Sequence, residues 1–176
     1  MTTKKMVLLS VLAALSIVLN WLENAFFPWT VLPVPGVKLG LANIVFLLVF
    51  LLAGFRMALT VSLLRVVVVA LLSGTFATPV FPLSLGGAVL SLSLIKLAWL
   101  LGRGRLSLLG LSIIGAVGHN LGQLLALMVI PGLSLQLSIV YLVLPALILL
   151  AIPTGLVTGW TAQQILPTLR QEWEGL

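Results

Sequence analysis

Arg65 is the residue of this chain whose chemistry fits its surroundings least. It lies nine residues after Arg56, in the middle of an apolar run from about Met57 to Ser73. A cation at that depth costs at least ~2.5–3.5 kcal/mol on insertion scales unless it faces other helices or reaches water. Ala58 and Ser62 share its face at helical spacing, so that face is expected to point inward. One reading is structural, with the guanidinium bonded to backbone carbonyls and locking two helices together. The other, which we favour, is ligand contact or gating. With no acid nearby in the sequence, an anionic ligand is the natural partner.

A second polar group follows: Ser112, Gly115, Gly118, His119, Asn120, Gly122 and Gln123. His119 and Gln123 are i,i+4 neighbours and Asn120 and Gln123 are i,i+3, so the three cluster on one flank of a helix. Gly118 and Gly122 form a small-xxx-small pair that permits close helix approach. Interhelical hydrogen bonding, at ~0.6 kcal/mol per bond, is the plain explanation. Three hydrogen-bonding side chains in five residues exceed what packing needs, and a binding site is the favoured reading. Weaker candidates sit near the outer ends of the first and second spans. Lys38 and Asn43, with Glu23 and Asn24, could form the mouth of a site, although interfacial solvation explains them about as well. Lys96 is expected to snorkel from a helix end. Ser10 with Ala14, and Gly155 with Gly159, are further small-xxx-small pairs whose ordinary use is bundle packing.

Much chemistry is excluded. The chain has no Cys and no Asp, and its only Glu are Glu23, Glu172 and Glu174. Thiolate nucleophiles, cysteinyl metal sites, Asp-rich magnesium–diphosphate sites and paired-carboxylate catalysis therefore fall away. His119 is the sole His and lacks partners for a metal shell. No GxxxxGK[ST] loop is present. The serines have no sequence-local base and no nucleophile elbow. We expect no catalytic residues, no metal and no cofactor.

The elements that position these residues must be membrane helices. Of 176 residues, 61% are apolar and only 7% charged, with a mean hydropathy of +1.32, far from a soluble domain. At ~20 residues per crossing, one bundle of six spans fills the chain. The spans are expected at about 6–22, 39–53, 57–73, 83–101, 107–130 and 137–160, followed by a polar tail, 161–176, able to lie on the surface as an amphipathic helix. Prolines 28, 33 and 35 stop regular helix in the first loop, and Pro145 and Pro153 are expected to kink the last span. Six spans put Lys4, Lys5, Arg56, Arg103, Arg105 and Arg170 on one side and Lys38 alone on the other. The positive-inside rule then makes both termini cytoplasmic. The basic residues behind the net charge of +6 sit singly or in pairs at the ends of apolar runs, which orients a membrane protein and argues against nucleic acid.

The stretches PGVKLGLAN (Pro35 to Asn43), LLRV (Leu63 to Val66), SLGGAVLSL (Ser84 to Leu92) and SIIGAVGHNLGQ (Ser112 to Gln123) resemble one bacterial membrane family over about residues 6–160. It is known as heptaprenyl diphosphate synthase component I and also as the Gx transporter family. PGVKLGLAN is also similar to an element of the substrate-binding S components of energy-coupling factor transporters. That resemblance implies a six-helix protein binding a vitamin-like molecule from outside, with residues 24–38 as a lid. It also implies a coupling subunit and two ATPases as partners, and a first helix whose small residues, here Ser10 and Ala14, pack on the coupling subunit.

The expected function is thus that of a substrate-binding subunit of an uptake transporter in the bacterial cytoplasmic membrane. Arg65, His119, Asn120 and Gln123 would be its core contacts, and Lys38 and Asn43 its rim. The alternative is a non-catalytic accessory subunit in heptaprenyl diphosphate or menaquinone synthesis. A pure packing protein with no ligand is the third possibility.

Overall fold

The computed structural model describes residues 2–26, 41–129 and 137–176. These form five helices: α1 (Thr3–Phe26), α2 (Leu41–Leu72), α3 (Val80–Leu101), α4 (Leu108–Val129) and α5 (Leu137–Gly175). All five are long and apolar enough to cross a membrane. Lys38, and the part of the expected lid from residue 27 onward, lie outside the described residues.

The sequence reading places a turn at Gly54 to Arg56 between two spans, and α2 is made of two helical arms that meet at Gly54. The junction is Gly54 itself, whose φ of 83° and ψ of 178° are not helical. That region of the backbone map is essentially open to glycine alone. The Arg65 guanidinium lies 5.5 Å from the centre of the Phe46 ring. In a straight helix at 1.5 Å per residue these two positions would be about 28 Å apart. The chain therefore folds back at Gly54, and the 41–53 and 55–72 arms of α2 pack side by side. Residues 44–50 of the first arm are buried on every side, which makes that arm the axis of the bundle. We expect Gly54→Ala to destabilise the protein by about 1–3 kcal/mol through backbone strain alone, since no atom of the described residues would meet the added methyl within 4 Å. Thermal unfolding in detergent measures this, and an unchanged midpoint would contradict the turn.

Around this axis α1 packs on α2, α3 on α4 and α4 on α5, while α2 also meets α3 and α5. The α3–α4 contact is the tightest. Gly86 and Gly87 of α3 face Gly122, and a Cβ on Gly86 would stand 2.6 Å from the Gly122 carbonyl oxygen. Gly115 and Gly118 lie against Ser91 and Ile95 or Leu94, and the Ser91 hydroxyl donates to the Gly115 carbonyl at 2.7 Å. On the other flank of α4, Gly155 and Gly159 of α5 close on Ile113 and Leu109. The small-residue pairs read from the sequence thus set the packing of three helices. Helix α3 begins at Val80, three residues before the expected start, because Pro82 falls in its first turn, where proline is tolerated.

The tail departs most from the sequence reading. Helix α5 runs on to Gly175 and carries Pro145, Pro153 and Pro167 within it. Ala162 is fully buried, and Leu166, Leu169 and Trp173 pack on the core. Those four positions make one helical stripe. The Lys5 ammonium sits 5.1 Å from the centre of the Trp173 ring, and the Thr2 hydroxyl donates to the Leu176 carbonyl at 3.3 Å. Both ends of the chain therefore meet at one end of the bundle.

Candidate functional site

Ala58, Ser62 and Arg65 are buried to 0%, 1% and 3% exposure, so the face expected to turn inward does so. Opposite it comes the last turn of α1, carrying Glu23 at 2% exposure. Glu23 lies within Coulombic reach of Arg65. This corrects the sequence reading in one respect: no acid is near Arg65 along the chain, but one is near it in space. Phe46, on the first arm of α2, supplies the ring face on which the guanidinium rests. Arg65 Nε and Ser62 Oγ are buried and have no hydrogen-bond partner among the described residues. Buried donors are rarely left so, and each unmade bond costs about 1–3 kcal/mol. The cluster can thus offer a positive edge, a hydroxyl and a carboxylate, enclosed by apolar helices.

The α4 candidates divide between two neighbours. His119 and Gln123 lie against α3, where a Cβ on Gly87 would come within 2.8 Å of His119 Cε1 and 3.1 Å of Gln123 Cγ. The glycine pair of α3 is what gives these side chains room. Asn120 turns to α5 and donates its side-chain N–H to the Leu147 carbonyl at 2.8 Å. Ser112 likewise reaches α5, sharing a 2.5 Å hydrogen bond with Thr158. The three side chains that seemed one flank by spacing therefore meet two neighbours, and Asn120 makes an interhelical hydrogen bond. We expect Asn120→Ala to lower stability by about 0.6–1.7 kcal/mol while leaving captured ligand unchanged, as read by thermal unfolding and by mass spectrometry of bound compounds. Loss of ligand at unchanged stability would restore it to the site.

Asn43 stands half-buried near the start of α2. Lys96 is exposed, 4.9 Å from the centre of the Phe55 ring, in keeping with a snorkelling role. Ser10 and Ala14 line an open apolar groove of about 380 Å³ between α1 and the 55–72 arm of α2, together with Met6, Met57, Thr60 and Leu64. The Ser10 and Thr60 hydroxyls are turned back onto the Met6 and Arg56 carbonyls, leaving the groove greasy.

Two residues escaped the sequence reading as parts of the Arg65 cluster. Glu23 was legible as the only acid between Met1 and Gln171, a signal that should have paired it with the one cation buried at mid-span. Phe46 gave no signal, being one apolar residue within an apolar run.

The family model described as heptaprenyl diphosphate synthase component I matches residues 12–165 of the chain. No curated protein and no solved structure matches it.

Proposed function

We propose that this chain, which belongs to the heptaprenyl diphosphate synthase component I family, is a non-catalytic membrane subunit that binds a small molecule at Arg65. The single observation that carries the reading is that Arg65 Nε and Ser62 Oγ are buried with no hydrogen-bond partner among the described residues. A residue kept only to lock helices would have its donors satisfied by them.

The fold-back at Gly54 supports six crossings from five helices. The meeting of the two termini, with the basic residues at span ends, supports cytoplasmic placement of both. The subunit would sit in the cytoplasmic membrane of a bacterium and take a vitamin-like or anionic molecule from the outer side, with Arg65, His119 and Gln123 as contacts and Lys38 and Asn43 at the rim. Having no ATP-binding loop and only one acid in its spans, it would draw energy from a coupling subunit and ATPases. The greasy groove at Ser10 and Ala14 fits the seat of a coupling helix.

The family description favours a second reading, an accessory subunit beside a prenyl synthase. The lack of Asp keeps diphosphate chemistry for the partner. A gentle detergent pull-down of the tagged protein from its host, with mass spectrometry of proteins and small molecules, separates the two. Coupling and ATPase subunits with a retained vitamin-like compound support transport. A prenyl synthase subunit with a polyprenyl lipid supports the accessory role, and a bare protein defeats both.

A further inference from the structure

Arg65 read alone invites an anion, and a diphosphate would be the strongest candidate. The enclosure around it argues otherwise. Glu23, at 2% exposure, is buried as deeply as Arg65 at 3%, and it projects from the helix packed against the 55–72 arm. A carboxylate removed from water this far is screened little by salt, and beside Arg65 it offsets the charge that would otherwise draw in an anion. What the cluster lacks among the described residues is specific: a hydrogen-bond acceptor for Arg65 Nε and a partner for Ser62 Oγ. Phe46 covers one face of the guanidinium.

We infer that Glu23 is the specificity-determining residue of the Arg65 site, restricting it to molecules that are neutral overall or zwitterionic and excluding polyanions such as diphosphates. The inference rests on the reading of Arg65 as a binding centre. Such a ligand places an acceptor atom, a carbonyl or a single carboxylate, on Arg65 Nε and Ser62 Oγ. Its donor or positive pole turns to Glu23. Any isoprenoid diphosphate handled by a partner enzyme is then held elsewhere.

The probe is inorganic diphosphate, titrated calorimetrically into the intact protein in detergent. Wild type and Glu23→Asp are expected to bind it weakly or not at all. Glu23→Gln, nearly the same shape without the charge, should gain at least about tenfold in affinity. The gain should vanish in Glu23→Gln/Arg65→Gln. Diphosphate bound by wild type as tightly as by Glu23→Gln overturns the inference, as does a Glu23→Gln protein with no gain, or a gain that survives loss of Arg65. Should Glu23→Gln fail to fold, wild type decides through the compound it retains from host membranes: one neutral overall at pH 7 supports the inference, and a polyanion overturns it. Failure of the underlying reading shows separately, as a retained compound whose yield is the same in wild type and Arg65→Gln.

Discussion

Gly122→Val is expected to be the most damaging glycine substitution in the protein. A Cβ at this position would collide with the Gly86 carbonyl and stand 2.9 Å from the Gly87 Cα. Both obstacles are backbone, so no side-chain rotation relieves them, and α3 and α4 must move apart. Separation would also stretch the Ser91–Gly115 hydrogen bond and the seat of His119 on Gly87. Overpacking of a tight interior costs about 1–3 kcal/mol, occasionally more. In a membrane, where close van der Waals approach replaces the hydrophobic effect as the force joining helices, the upper end applies. For a chain of this size that corresponds to a fall of about 10 °C in the unfolding midpoint. Gly110→Ala serves as the control, because its Cβ would meet only the Ser107 hydroxyl, at 3.3 Å. Equal midpoints for the two variants would mean that α3 and α4 do not touch through their glycines.

That substitution tests what was most legible in the sequence. Glycine pairs at helical spacing within apolar runs announce close helix contact, and in Gly118, Gly122, Gly155 and Gly159 the announcement was sound. The inward turn of Arg65 was legible for a related reason: hydrocarbon does not tolerate the alternative. What stayed hidden depended on three-dimensional partners. Gly54 reads as a turn signal between two spans, but nothing local says that both arms keep helical bonding right up to it. Asn120, one residue from His119, looks like a member of the same group until the α5 carbonyl of Leu147 claims its amide. The tail reads as polar because its apolar residues are spread thinly. Ala162, Leu166, Leu169 and Trp173 form a stripe only once they are placed on a helix against the core. Spacing along one helix tells which residues share a face; it does not tell which neighbour that face meets.

The Glu23–Arg65 pair offers the second large effect, and here stability and binding should separate. Arg65→Leu removes a cation from the interior but leaves the Glu23 carboxylate buried at 2% exposure, without the opposite charge that faces it. Breaking a buried pair in this way is expected to cost about 3–5 kcal/mol. Glu23→Leu/Arg65→Leu removes both charges, and replacements of that kind are often neutral or stabilising by about 1–4 kcal/mol. The double variant should therefore unfold at or above the wild-type temperature, while the single variant unfolds far below it. Ligand capture should follow the opposite logic. Both variants lack the guanidinium, and both should lose the bound compound, by about a hundredfold if two charge-assisted hydrogen bonds go with it. A stable double variant that has lost its ligand would mean that the protein keeps two ions in its apolar interior for recognition, at the expense of stability. If the double variant still captured the compound, Arg65 would be a helix lock with a carboxylate for its key, and the binding site would have to be sought among His119, Gln123 and their α3 neighbours.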